Sequence, residues 1–208
     1  GIFLLNGQSC VAGSRLLIHE SIHDEFLNRL IEAIGELRFG DPTDTATQIG
    51  PISNESQYNK ILEYIEIGKT EGAHCLYGGT RSARDGCETG WFVEPTIFTD
   101  VQPGMRIASE EIFGPVLSVM PFSSDDEAIR IANDIDFGLA AGVWTSNLGR
   151  AHRISNRLEC GTVYVNQYKN VSVMSPAGGY KASGIGRENG AEMIKEYLQV
   201  KSVWINTA

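Results

Sequence analysis

The chain has 208 residues, 42% of them apolar and 21% charged, the balance of a folded protein rather than a disordered one. Seventeen Lys and Arg against 26 Asp and Glu leave a net charge of −9, which argues against nucleic acid or an anionic membrane as a partner. No uncharged run reaches the ~18 residues of a spanning helix. The four cysteines, at 10, 75, 87 and 160, form no Cys-x-x-Cys pair and have no histidine at metal spacing. They read as reduced thiols of a cytoplasmic protein, with no disulfide frame and no metal site.

The opening, Gly1-Ile2-Phe3-Leu4-Leu5, starts apolar, as if in mid-domain. It is broken by Asn6-Gly7-Gln8-Ser9 and lacks a basic flank, so it does not read as a signal peptide. Residues 15–20 read as a buried strand. Ser21 is placed to cap a helix over 22–38, with Asp24 and Glu25 in the first turn and Ile22, Phe26, Leu30, Ile34 and Leu37 at helical spacing. After a polar loop over 41–53, Tyr58, Ile61, Leu62, Ile65 and Ile67 mark a second helix that ends at Gly68 or Gly72. A short strand over 74–77, a charged surface loop over 81–90 and a strand over 91–98 follow; Pro95 suggests an edge or a bulge in the last of these. Residues 116–122 are a strong buried-strand run, and Ser123 or Ser124 caps a helix over 125–135. A strand over 139–145, a helix over 147–158 and a strand over 161–165 come next. A glycine-rich loop over 178–190 surrounds a helix start near Glu188, and residues 200–205 alternate like a strand. This alternation predicts an α/β fold with a parallel sheet.

Among the cysteines, Cys10 has a distinct setting. It follows a polar, glycine-containing turn and precedes small residues, which leaves room for a reactant and for free backbone N–H groups to stabilise a thiolate. Cys75 and Cys87 lack that setting, and Cys160, just before a strand, is expected in the core. The segment Asn6-Gly7-Gln8-Ser9-Cys10-Val11-Ala12-Gly13-Ser14-Arg15 resembles the nucleophile loop of the aldehyde dehydrogenase superfamily. Three further segments agree, in family order and across essentially the whole chain. They are Glu110-Glu111-Ile112-Phe113-Gly114-Pro115-Val116, the stretch from Phe137 to Val143, and the turn motif from Gly178 to Glu188.

The resemblance implies a parallel-sheet catalytic domain over residues 1–197 with helices on both faces, and a C-terminal oligomerisation strand over 198–208. It implies Cys10 as the nucleophile that attacks a small-molecule aldehyde, forming a thiohemiacetal and then, by hydride loss to NAD or NADP, a thioester. Glu111 takes the nicotinamide-ribose hydroxyls, being acceptor-only, and Phe113 packs near the nicotinamide. Asn166 stands at the end of a sheet strand behind the site, and the stretch from Gln167 to Ala177, with Val171 and Ala177, lines the substrate funnel. Ala177 stands where many relatives carry Phe, which widens the funnel wall.

Family members carry a longer N-terminal part that holds the nucleotide-binding domain, a glutamate base and an oxyanion-hole asparagine. None of these is found in this chain, so the resemblance implies a truncated catalytic portion of a homo-oligomer, inactive as a dehydrogenase by itself. Gly184-x-Gly186 is not a dinucleotide fingerprint, because Asn189 stands where a third glycine belongs. The alternative is a stand-alone cysteine thioesterase or esterase. It requires a histidine base beside Cys10, from among His19, His23, His74 and His152.

Overall fold

The computed structural model describes residues 1–208. Its strands are β1 (Arg15–His19), β2 (His74–Tyr77), β3 (Thr96–Thr99), β4 (Val116–Phe122), β5 (Phe137–Gly138), β6 (Ala140–Val143), β7 (Thr162–Val165) and β8 (Tyr180–Lys181). Its helices are α1 (His23–Gly35), α2 (Glu55–Thr70), α3 (Arg106–Ser109), α4 (Asp125–Asn133) and α5 (Leu148–Arg157). Single 3-10 turns cover Leu4–Gly7, Glu20–Ile22 and Ala191–Tyr197. No helix is long and apolar enough to cross a membrane.

The main sheet has the order β1-β4-β3-β2. β4 pairs in parallel with β1 and with β3, whereas β2 runs antiparallel to β3. The expected parallel pairing holds for β1, β4 and β3, and β2 adds an antiparallel edge. β2 and β3 are joined by a loop without a crossover helix, and an antiparallel pair is what such a connection allows. Pro95 falls just before β3, so β3 sits inside the sheet; the register shift lies on β2, between Cys75 and Tyr77. β6 and β7 form a separate parallel pair, and β5 and β8 a short antiparallel one.

Alternation along β4 divides the core in two. Val116 and Met120 face a cluster built on Ile61 and Ile65 of α2, Ile107 of α3 and Ile131 of α4. Leu117 and Val119 face the other way, onto Leu27 and Ile34 of α1 with Ile2 and Phe3. Helices thus cover both faces of the main sheet, as expected, because successive strand residues point to opposite sides.

Caps explain most helix starts. Asn54, Ser124 and Asn147 each accept a backbone N–H in the first turn of α2, α4 and α5. Ser21 does not cap α1: its own N–H donates to the His19 ring, and the chain makes a 3-10 turn before the helix begins. The 81–90 loop is less open than its charges suggest. Arg84 reaches inward to Glu94 at 3.0 Å, to the Leu37 carbonyl at 3.2 Å and to the Tyr77 hydroxyl at 2.9 Å. Near the C-terminus, the helix expected from Glu188 is only the 3-10 turn over Ala191–Tyr197. Residues 198–208 are exposed and pair with no strand, so the strand expected there is not formed.

Candidate active site

Cys10 is exposed and free, immediately after a loop held in an unusual backbone conformation. Leu5, Asn6 and Gly7 all have positive φ, at 57°, 56° and 66°. Left-handed backbone at a leucine is costly and persists only where its surroundings enforce it. The Asn6 amide supplies part of that enforcement, donating to the carbonyls of Gly50 at 3.0 Å and Pro51 at 2.9 Å. Gln8 adds a two-way clamp with Ser53, donating to its hydroxyl at 2.9 Å and accepting its N–H at 3.1 Å. After this bracing, the N–H groups of Ser9, Cys10 and Val11 make no hydrogen bond within the chain. Three unpaired donors around one exposed thiol can meet negative charge on sulfur or on an oxygen bonded to the attacked carbon.

The loop over 110–114 is fixed by the same helix. Gln57 of α2 donates to the carbonyls of Ile112 at 2.8 Å and Phe113 at 3.0 Å, and Lys60 donates to the Glu111 carbonyl at 2.8 Å. One turn on, the Tyr64 hydroxyl bonds Glu110 at 2.5 Å, and Arg106 pairs with the same carboxylate at 3.0 Å. These bonds hold the Glu110 carboxyl below the usual range, the Arg106 guanidinium being the larger cause. Gln57, Lys60 and Tyr64 lie on one face of α2 by helical spacing. Hydrophobic spacing marks only the apolar side of α2, and the partners of this polar stripe lie about 50 residues away along the chain, so the sequence pattern does not reveal it.

The two acidic neighbours are therefore unlike. Glu110 is committed to Arg106 and Tyr64, whereas the exposed Glu111 carboxylate has no partner in the chain. Phe113 is half-buried, with φ at 59°. The two loops touch directly: a Cβ added to Gly7 would lie 2.1 Å from the Gly114 carbonyl oxygen. Only glycine at position 7 permits that approach, and it ties the Cys10 loop to the Glu111 and Phe113 loop. This loop thus carries a carboxylate free to accept hydrogen bonds and a half-buried aromatic ring two residues on, both on a backbone braced by α2.

Asn166 ends β7 with φ at 54°. Its side chain accepts the Thr145 N–H and donates to the Thr145 carbonyl, both at 2.9 Å, so it locks the end of β7 to the residue group following β6. Tyr168 leans from there toward the nucleophile loop; its hydroxyl lies 3.5 Å from where a Cβ on Gly13 would sit. Its ring packs on Tyr164 and Trp144, and burial pushes the phenol up to about 12. Val171 and Met174 are each 80% exposed. Ala177 is held by a two-way backbone bridge to Glu188, at 2.7 and 2.8 Å.

The other thiols differ. Burial pushes the Cys75, Cys87 and Cys160 thiols up. Cys160 is half-buried rather than in the core, its S–H directed at the Thr162 carbonyl at 3.3 Å. No histidine is hydrogen-bonded to Cys10. His19 turns to Ser21, His23 to Asp24 and His74 to Thr99. The cysteine–histidine pair that a stand-alone hydrolase requires is not formed.

Fold and site together define an α/β protein with an exposed cysteine in a braced loop, backed by unpaired amides, and a second loop in contact with the first that carries a free carboxylate. The sequence profile of the aldehyde dehydrogenase family matches residues 1–203. Betaine aldehyde dehydrogenase from Brucella anthropi is 49% identical over 205 residues, which span 99% of this chain and 42% of that protein. An aldehyde dehydrogenase mutant from Bacillus cereus superposes with a TM-score of 0.93 at 44% identity, over 100% of this chain and 42% of that one. A betaine aldehyde dehydrogenase mutant from Staphylococcus aureus, in complex with NAD+ and carrying a BME-modified cysteine, gives 0.91 at 43%, over 94% of this chain and 40% of that one. This chain belongs to the aldehyde dehydrogenase family, and it spans about two-fifths of the length of these relatives.

Proposed function

We propose that these residues are the nucleophile-bearing part of an NAD(P)-dependent aldehyde dehydrogenase, with residues 1–197 as the catalytic domain and 198–208 as its oligomerisation segment. The observation that carries this reading is the exposed Cys10 thiol among the unpaired N–H groups of Ser9, Cys10 and Val11. The sulfur adds to the aldehyde carbon, and the carbonyl electron pair moves onto oxygen. The Cys10 N–H then donates to that oxyanion, an interaction strongest at the tetrahedral stage. Glu111, free of protein partners, takes two ribose hydroxyls of the nucleotide, and Phe113 backs the nicotinamide ring. When bound, the nicotinamide supplies the hydride acceptor that converts the Cys10 adduct into a thioester. Asn166 acts through backbone, keeping the wall that carries Val171 and Ala177 in place. The partner molecule is a small aldehyde, the assembly a homo-oligomer, and the compartment the cytoplasm; four free thiols suit a reducing one.

The test uses the full-length gene product. Cys10→Ala is expected to lower aldehyde-dependent NAD(P)H formation by about 1,000-fold or more without shifting the melting temperature. A Cys10→Ala enzyme that keeps its rate overturns the proposal.

A further inference from the structure

Gly13, in the nucleophile loop, and Gly142, on β6, do not have positive φ, so backbone conformation does not demand glycine at either. Space demands it at Gly142. A Cβ there would lie 2.8 Å from Cδ2 of Tyr168 and 2.6 Å from the Trp144 ring, closer than carbon atoms pack. At Gly13 the nearest atoms all belong to the same Tyr168. A Cβ on Gly13 would lie 3.5 Å from its hydroxyl, 3.7 Å from Cζ and 3.8 Å from Cε1. One ring therefore spans from β6 to the loop that carries Cys10.

The ring is seated firmly on the β6 side. The parallel register sets Tyr164 of β7 beside Gly142, and the Tyr164 ring meets that of Tyr168 edge to face, with centroids 5.3 Å apart. Trp144 packs on it at 6.0 Å. Burial is the main cause of the raised phenol pKa, so at neutral pH Tyr168 is a packed neutral ring and not a proton-transfer group. The loop side has fewer ties. The Ala12 N–H donates to the Ser9 carbonyl at 2.8 Å and the Ser14 N–H to the Ala12 carbonyl at 3.0 Å, both within one turn. Backbone bonding to another element resumes only at the Ser14 carbonyl, which accepts the Ser118 N–H at 2.9 Å. The Tyr168 ring meets the chain between the Gln8 clamp and that bond.

We propose that Tyr168 is a positioning residue for the nucleophile: its ring, seated on Gly142, backs Gly13 and holds the Cys10 loop and its unpaired N–H groups in one arrangement. The inference rests on Cys10 as the attacking thiol and adds the residue that ties the loop to the β6–β7 pair. Catalysis by aligned donors is sensitive to small displacements, an ångström costing about a hundredfold.

The test uses the full-length gene product with Tyr168→Phe, Tyr168→Leu and Gly142→Ala. Phenylalanine keeps the ring carbons that reach Gly13, and leucine keeps bulk without the reach. Gly142→Ala retains Tyr168 but displaces its ring. Below the melting temperature of each variant, iodoacetamide labelling of Cys10 is followed by peptide mapping. The rate is expected to fall about threefold or more in Tyr168→Leu and Gly142→Ala, and Tyr168→Phe restores it to within about twofold of wild type. With aldehyde and nucleotide, kcat falls about tenfold or more in the same two variants, while the KM for the nucleotide stays within about twofold. The split is expected because the Glu111 loop is braced by α2. A wild-type labelling rate in folded Tyr168→Leu, or in Gly142→Ala where Tyr168→Leu does not fold, overturns the positioning role. Tyr168→Phe as slow as Tyr168→Leu, or kcat and nucleotide KM worsened by equal factors, also overturns it. All of these leave the Cys10 reading standing. A Cys10→Ala enzyme that keeps its rate overturns both.

Discussion

At the scale of single residues, the contrast among the four thiols is the sharpest feature. Cys10 is exposed, whereas burial disfavours the thiolate at Cys75, Cys87 and Cys160. Thiolate fraction and access together set alkylation rates. Limited iodoacetamide at neutral pH is expected to label Cys10 at least about tenfold faster than any of the others; peptide mapping that finds Cys160 modified first contradicts the assignment. Cys10 was legible in the sequence because small and polar neighbours are written beside it. The difference between Glu110 and Glu111 is not written in the sequence, because it depends on Tyr64 of α2 and Arg106 of α3, 46 and 4 residues away, which both meet the Glu110 carboxylate.

At the scale of elements, α2 acts as a bracket. Its N-terminus holds Gln8 through Ser53, and its polar stripe holds the backbone of the 110–113 loop. The two loops then meet at Gly7 and Gly114 without room for a side chain. Gly7→Ala combines a methyl group 2.1 Å from a carbonyl oxygen with a left-handed backbone. It is expected to cost about 3 kcal/mol and to slow Cys10 alkylation or catalysis even where the fold survives. A melting temperature within a degree of wild type contradicts the close approach. Element types were mostly readable, since β4, α2, α4 and α5 carry strong periodicity and caps at Asn54, Ser124 and Asn147. Strand direction was harder. Whether β2 runs with or against β3 depends on a connection whose path is not written in hydrophobic pattern. The start of α1 was misplaced because the His19 ring captured the Ser21 N–H.

At the scale of the whole molecule, the exposed apolar C-terminal segment stands out. Val200, Val203, Trp204 and Ile205 are all largely open to solvent and belong to no sheet. Unpaired backbone carrying apolar side chains seeks another edge. Removing residues 199–208 is expected to shift the protein toward monomer in sedimentation velocity; an unchanged distribution, or a wild-type chain already monomeric at high concentration, contradicts a role in association. A second large-scale feature is the placement of the core. The two apolar clusters reach no further along the chain than Val119 and Ile131, and beyond Ile131 Ala151 is the one buried apolar side chain. The last third meets α4 through ion pairs of Arg150 and Arg153 with Asp125 and through hydrogen bonds of Asn133 with Arg157, Glu159 and Lys181, rather than through a buried apolar seam. Cys10 and Glu111 thus belong to the densely packed part of the chain, and Val171 and Ala177 to the lightly packed part. On the proposed reading of this stretch as a funnel wall, substitution at an exposed position such as Val171 costs the fold little, so preference for one aldehyde over another is free to drift while the reacting groups stay fixed.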